Sequence, residues 1–277
     1  MRVVVTGGSG KGGRWVVREL RDHGHDVLNV DLRHDGSPHG ECLVADLTDY
    51  GQAQDVLSGA DAVVHFAAIP APGLRPDGET FRINILSTYN VFAAAASHHL
   101  KRVVWASSET VLGLPFDRPP DYAPIDEQIT PRPESSYSLS KLAGETLAGQ
   151  FARRSGIGFV GLRISNIMEP EDYAGFPAFW SNPHLRKWNL WGYVDARDVA
   201  SAARLGLEAP VEGSEIAIIA AADTVMNRPS AELLAEVFPS VPVRRPIDGR
   251  TTLLSIDHAR QLLGYEPAHR WSDLISE

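Results

Sequence analysis

The sequence predicts an α/β protein built on a doubly wound parallel sheet. Three observations carry this expectation. Short β-branched runs such as Val3-Val4-Val5 and Ala62-Val63-Val64 alternate with stretches of helical apolar spacing along most of the chain. The runs are apolar at successive positions, as in strands covered on both faces. The first run ends in the glycine turn Gly7-Gly8-Ser9-Gly10-Lys11-Gly12-Gly13, and a helical pattern, Arg14 to Leu20, follows at once.

That strand, turn and helix form the context a phosphate cradle needs. Bare backbone can approach a pyrophosphate, which then sits at the positive end of the new helix. Gly7, Gly10 and Gly13 follow the GxxGxxG spacing. The second strand, Asp26 to Asp31, ends in a carboxylate about 20 residues beyond the glycines, where it can accept hydrogen bonds from an adenosine ribose and repel a 2′-phosphate. NAD is therefore expected over NADP, with Lys11, Arg14 and Arg33 as candidate phosphate ligands for either.

Leu43-Val44-Ala45 is the next strand, and Asp46-Leu47 at its end can meet an adenine amino group. A helix near 51–58 leads to a fourth strand, 62–68, whose small final residues, Ala67 and Ala68, let a cofactor lie against backbone. A long helix from Glu79 to Leu100 carries Asn84 early, facing either the cofactor groove or solvent. Arg102 to Ala106 is a strand ending at Ser107-Ser108, at the sheet edge where open α/β sheets bind ligands.

Pro115, Pro119, Pro120, Pro124, Pro131 and Pro133 rule out a helix or inner strand over 113–133, which reads as a surface loop arching over the site. Tyr137 and Lys141, four apart at the start of a helix, lie on one face, where an ammonium favours a phenolate and makes the tyrosine a usable acid/base. A strand over 156–164 follows, ending near Asn166. The stretch 169–191 holds three of the six tryptophans and reads as a small aromatic core, a pocket wall, or both. Further elements are a helix 195–207, a strand 215–220, a helix 229–238, an edge strand at Val241-Pro242-Val243 and a last helix from Ser255 to Leu263, stopped by Gly264.

The net charge of −9 argues against nucleic acid or an anionic membrane surface as partner. No apolar run approaches the roughly 20 residues that span a bilayer, and the start shows no signal-peptide pattern, so a cytoplasmic location is expected. Cys42, the single cysteine, reads as core filler. No metal is expected: the histidine pairs His23/His25, His34/His39 and His98/His99 lack partners at metal-site spacing.

With Gly7-x-x-Gly10-x-x-Gly13, Asp31, Asp46, Asn84, Ser108 and Tyr137-x-x-x-Lys141 in register, the chain resembles the extended short-chain dehydrogenase/reductase family, the NAD-dependent epimerase/dehydratase group. Leu162-Arg163-x-x-Asn166, Tyr193-Val194-Asp195-x-x-Asp198-Val199-Ala200 and the segment from Asp257 to Pro267 are similar to its motifs as well. The resemblance implies a Rossmann-type dinucleotide-binding domain over 1–165 and a small C-terminal substrate-binding lobe over 166–277, with 194–220 returning to the sheet. It also implies a homodimer through the helices 79–100 and 137–154.

Residue by residue, the resemblance makes Tyr137 the acid/base, Lys141 the holder of the nicotinamide ribose that lowers the tyrosine pKa, and Ser108 the donor to the substrate oxygen. Ser107 would face the cofactor, Asn84 line its groove, and Asn166 meet substrate or nicotinamide, with Glu109 and Thr110 beside the substrate. Asn166 and Asp195 lie only 29 positions apart, so little room remains for a nucleotide. The short segment is similar to that of uronate dehydrogenases, but no arginine falls between Glu169 and Phe179, leaving Arg186 or Lys187 to supply a cation for an acidic sugar. The expected activity is hydride transfer between NAD and a hydroxyl-bearing carbon of a small sugar or sugar acid. The alternatives are an epimerase or dehydratase with tightly held NAD and transient oxidation, and an NAD-binding protein without turnover.

Overall fold

The structure is a computed structural model that describes residues 1–33 and 42–276. His34 and His39 lie outside the described residues. Seven parallel strands form one sheet in the order β3-β2-β1-β4-β5-β6-β9. They are β1 (Arg2–Thr6), β2 (Asp26–Asp31), β3 (Cys42–Val44), β4 (Ala62–His65), β5 (Arg102–Ser108), β6 (Gly158–Ile164) and β9 (Ser214–Ile219). The strand order reverses between β1 and β4, which opens a crevice at their carboxyl ends.

The β-branched runs are buried on both faces, and alternate residues serve different cores. Val4, Val63, Val103 and Phe159 pack under α2 (Tyr50–Leu57), α3 (Asp77–Ser97) and α4 (Ser136–Ser155). Val3, Val5, Val64, Val104 and Leu162 face the other way, toward α1 (Gly13–Asp22) and α6 (Ala196–Glu208). Cys42 is buried as expected. Among the described residues no helix is long and apolar enough to cross a membrane.

After β6 the chain forms the short pair β7 (Ile167–Met168) and β8 (Val194–Asp195), with α5 (Pro177–Trp180) between them. It then returns through α6 to β9, which pairs with β6 along Phe159 to Ile164. Asp195 caps α6 by accepting from Arg197 N at 2.8 Å and also takes the Tyr173 hydroxyl. Asp198 on α6 accepts from Ala268 N, His269 N and His269 Nδ1, which fastens the segment after α8 (Asp257–Leu263) to α6. Tyr173, Phe176 and Tyr193 make a buried aromatic cluster with centroids 5.3 to 5.9 Å apart. The 169–191 stretch is thus both core and, through Trp188, wall of the cleft described below.

Two expectations need correction. The proline-rich stretch 113–133 is not a loop laid over the site. It buries Leu114, Phe116, Tyr122, Ala123, Ile125 and Ile129, and only its first residues, Leu114 and Pro115, reach the cleft. The reason is lacing from the C-terminal side: Ile125 N donates to Leu253 O at 2.8 Å and Ser255 N to Ile125 O at 2.7 Å. Second, Val241-Pro242-Val243 forms no strand. Proline lacks the N–H a ladder needs, and a single bridge, Ala123 to Val243, is what remains. A helix, α7 (Ser230–Val237), precedes it.

Candidate active site

A cleft of about 1230 Å³ lies along the carboxyl ends of the central strands. Gly7, Gly10, Lys11, Gly12 and Gly13 line one end. Gly13 opens α1, and a Cβ there would sit 2.0 Å from Gly7 O, so the turn closes only on glycine. A Cβ on Gly10 would meet only Gly7 O, at 3.2 Å, and would otherwise enter the cleft. Asp31, at the tip of β2, accepts from Ser9 N at 3.0 Å and Leu32 N at 2.7 Å, so it braces the turn while lining the cleft. Asp46, Leu47, Ala67 and Ala68 complete this end, with Asp46 held by Thr48 N and Thr48 Oγ1 at 2.9 and 2.8 Å.

Two of the three cations expected on phosphate, Lys11 and Arg14, are engaged by carboxylates. Lys11 lines the cleft but pairs with Asp172, and Arg14 forks onto Glu169 and does not line the cleft. Trp15 Nε1 also donates to Glu169, at 2.7 Å. These contacts tie the glycine turn to the lobe after β7. Arg33 lines the cleft.

Ser108, Tyr137 and Lys141 meet in the middle of the cleft. A reciprocal cap fixes the start of α4: the Ser135 hydroxyl accepts from Ser138 N at 3.1 Å and Ser138 Oγ accepts from Ser135 N at 2.9 Å. This cap sets Tyr137 in the first turn and Lys141 one turn on. Lys141 Nζ donates to Ala106 O on β5 at 2.8 Å and stands 5.7 Å from the Tyr137 ring centre.

The electrostatics depart from the expected lowering of the tyrosine. Burial pushes the Tyr137 hydroxyl up to about 12; the Ser108 hydroxyl pulls it down and Glu109 raises it further. Burial also lowers Lys141 to about 8. His65 in β4 is sealed between Thr6 Oγ1 at 2.7 Å and Thr88 Oγ1 at 3.2 Å, and burial, then Lys141, drives it down to about 3. This neutral histidine is buried and does not line the cleft.

Two other residues sit differently from their expected places. Asn84 is buried behind the wall, where its amide accepts from Ile69 N at 2.7 Å and donates to Ile69 O and Ser140 Oγ; it does not line the cleft, and Ser87 one turn later does. Ser107 lines the cleft, but its hydroxyl donates away from it to Glu145 Oε1 at 2.7 Å, a carboxylate also forked by Arg163.

Glu109, Thr110 and Asn166 line the cleft. Thr110 donates to Ser108 Oγ from both N and Oγ1, at 3.2 and 3.0 Å. Sequence reasoning missed what stands behind Glu109. This buried carboxyl accepts from Ser165 Oγ at 2.6 Å and Asn189 Nδ2 at 3.0 Å, while burial raises it to about 7. Asn189 carries no sequence signal; Ser165, beside Asn166, had the signal of its position at a strand end. Among the described residues no cluster of His, Cys, Asp or Glu is placed to hold a metal ion.

Comparisons with known proteins identify the family. A family model described as the NAD dependent epimerase/dehydratase family matches residues 3–220. The uronate dehydrogenase of Pseudomonas syringae pv. tomato is 33% identical over 175 residues, and the match spans 62% of this chain and 62% of that protein's length. The UDP-glucose 4-epimerase of Corynebacterium glutamicum is 26% identical over 307 aligned positions, covering 97% of this chain and 92% of that one. The solved structure of MoeE5 in complex with UDP-glucuronic acid and NAD superposes with a TM-score of 0.75 at 26% identity, covering 99% and 96% of the two chains. With the glycine turn, the Ser108, Tyr137 and Lys141 set and a family match over most of its length, the chain belongs to the NAD dependent epimerase/dehydratase family.

Proposed function

We propose that the protein is an NAD-dependent dehydrogenase that oxidises a hydroxyl-bearing carbon of a small sugar or sugar-like compound. The observation that carries this reading is that Ser108, Tyr137 and Lys141 share one cleft with a glycine turn that has no room for a Cβ at Gly7 or Gly13. The residues present fit NAD: Gly10 leaves space where a side chain would intrude, and Asp31 stands at the tip of β2. The turn and the amino end of α1 would hold the pyrophosphate, Asp31 the adenosine ribose, Asp46 and Leu47 the adenine, and Lys141 the nicotinamide ribose. When bound, NAD supplies the hydride acceptor.

The chain's own residues supply the rest. Tyr137 takes the proton from the substrate hydroxyl, and Ser108 donates to the same oxygen. Charge on the phenolate is met by the Lys141 ammonium, which Ala106 O holds in place. The substrate lies against Glu109, Thr110 and Asn166, and Asn84 supports the wall by gripping Ile69. Residues 1–165 would thus carry the cofactor and 166–277 the substrate, with 194–220 in the sheet. Incubation with NAD and a panel of aldoses, uronates and polyols, following the absorbance of reduced cofactor, tests the reading; silence across the panel with NAD bound refutes it.

One observation favours the second reading, an epimerase or dehydratase that keeps its NAD. Lys11 to Asp172 and Arg14 to Glu169 clasp the glycine turn to the lobe, as retention would need. Cofactor that survives dialysis with the purified protein would select this reading. We also propose a homodimer through α3 and α4, which leave Tyr89 and Leu139 exposed; sedimentation as a monomer at micromolar concentration refutes it. A cytoplasmic location suits a single, buried cysteine, and cell fractionation tests it.

A further inference from the structure

Resting on the dehydrogenase reading, we propose that Glu109 and Trp188 form a selector for neutral sugars. The Glu109 carboxyl takes a hydrogen bond from a ring hydroxyl beside the carbon being oxidised, the Trp188 ring carries the C–H face of the sugar, and a substrate carboxylate is turned away from this wall.

Three observations lead there. Glu109 follows Ser108 directly, lines the cleft and is only 3% exposed. Its oxygens accept from Asn189 Nδ2 and Ser165 Oγ, and the Asn166 backbone N–H also donates to the carboxyl. A carboxylate offers about four acceptor sites, so capacity remains for a hydroxyl donor arriving from the cleft.

The second observation is where the cation of this region goes. Arg186 is the residue that could have received a substrate carboxylate, yet it is 2% exposed and does not line the cleft. Its guanidinium donates to Asn189 Oδ1 and Gly192 O, both at 3.1 Å. It reaches Glu109 only through Asn189, so the carboxyl has no direct counter-ion; Tyr137 and Arg186 are the titratable groups whose charge acts on it or is acted on by it. Lys187 stands 6.0 Å from the Phe238 ring and does not line the cleft either. The cations that do line it are Lys11 and Arg33 near the glycine turn, Lys141, which is engaged with Ala106 O, and Arg75 on the loop after β4. An anionic group brought to Glu109 would be buried beside a second carboxyl that Arg186 reaches only through Asn189, so one of the two must take up a proton to be accommodated.

The third observation is the ring. Trp188 lines the cleft with the Arg186 guanidinium 4.3 Å from its centroid. One buried strut therefore orients both halves of the wall, the carboxyl through Asn189 and the indole by stacking. Acceptor groups beside an aromatic face suit a ring that has hydroxyls on its rim and C–H bonds on its faces.

The test compares D-glucose with D-glucuronate and D-galactose with D-galacturonate, with NAD, on wild type, Glu109→Gln and Trp188→Ala. NAD binding, read by tryptophan fluorescence, reports that each variant is folded. At pH 9, where Glu109 is ionised, the proposal expects wild type to favour the neutral member by roughly 100-fold in kcat/KM, against a few-fold at pH 7, and Glu109→Gln to shrink the pH 9 preference to roughly 10-fold or less. Trp188→Ala should raise KM for neutral sugars about 10-fold with little change in kcat, as loss of uniform binding does. A wild-type preference for the uronates overturns the selector, and so does an unchanged ratio in Glu109→Gln. If neither sugar is oxidised, calorimetric titration of the NAD-loaded protein at pH 9 separates the two ideas: glucose binding without glucuronate binding keeps the selector and defeats the dehydrogenase, whereas equal binding, or none, defeats the selector.

Discussion

Lys141 is expected to cost the protein stability, and replacing it with methionine measures how much. The side chain is 7% exposed, and burial lowers its pKa from the ordinary 10.5 to about 8. Each pH unit of such displacement is worth about 1.4 kcal/mol, so at neutral pH the buried ammonium destabilises the fold by about 3 kcal/mol. Methionine retains most of the apolar stem but leaves Ala106 O without its 2.8 Å donor, a loss of about 1 kcal/mol. The net expectation at pH 7 is a gain of about 2 kcal/mol, or a Tm about 4 °C higher or more for a chain of this size. The sign with pH is definite. Between about 8 and 10.5 the unfolded chain binds the proton that the folded one has released, so wild type gains stability as pH rises through that window. The advantage of Lys141→Met should then fade, leaving the mutant level with or below wild type by pH 10. Urea unfolding at pH 7 and pH 10, without added cofactor, reads both numbers, and dehydrogenase turnover should meanwhile fall to roughly 1% or less. A mutant less stable than wild type at pH 7, or a difference that ignores pH, would refute the reasoning.

Tyr137→Phe should lower turnover about 100- to 10,000-fold while NAD affinity, measured by fluorescence, stays within about threefold. Gly10→Ala and Gly13→Ala should diverge: the first folds and weakens NAD about 10-fold because its methyl enters the cleft, whereas the second, with a Cβ placed 2.0 Å from Gly7 O, loses soluble folded protein in expression and thermal-melt assays. Asp31→Asn removes the carboxylate at the tip of β2 and should move the NADP to NAD preference by roughly 10-fold or more toward NADP; steady-state kinetics with both cofactors checks it. Glu169→Gln loosens Arg14 and Trp15 together and should speed NAD dissociation about fivefold in stopped flow.

The parts of the molecule legible in the sequence were those set by local pattern. Val3-Val4-Val5 and Ala62-Val63-Val64 announced strands buried on both faces, and the structure assigns their alternate residues to the two cores. The glycine turn and the tips of β2 and β5 were placed by counting, because a strand end and a helix start each occur at definite offsets. What escaped depends on partners far along the chain. Tyr137 and Lys141 do share a helix face, as their spacing requires, but Ala106 O holds the lysine and burial governs the phenol, so the tyrosine rises to about 12 where local reasoning expected a fall. The proline-rich stretch looked like a surface loop because proline forbids regular structure; its buried Phe116, Tyr122 and Ile125 were apolar clues that only the pairing with Leu253 and Ser255 makes decisive. Arg186 carries the same lesson into function. In the sequence it was a cation in an aromatic segment, free to meet an acidic sugar. In the fold it is held by Asn189 and Gly192 and does not line the cleft, whereas Glu109, next to Ser108 in the chain, does.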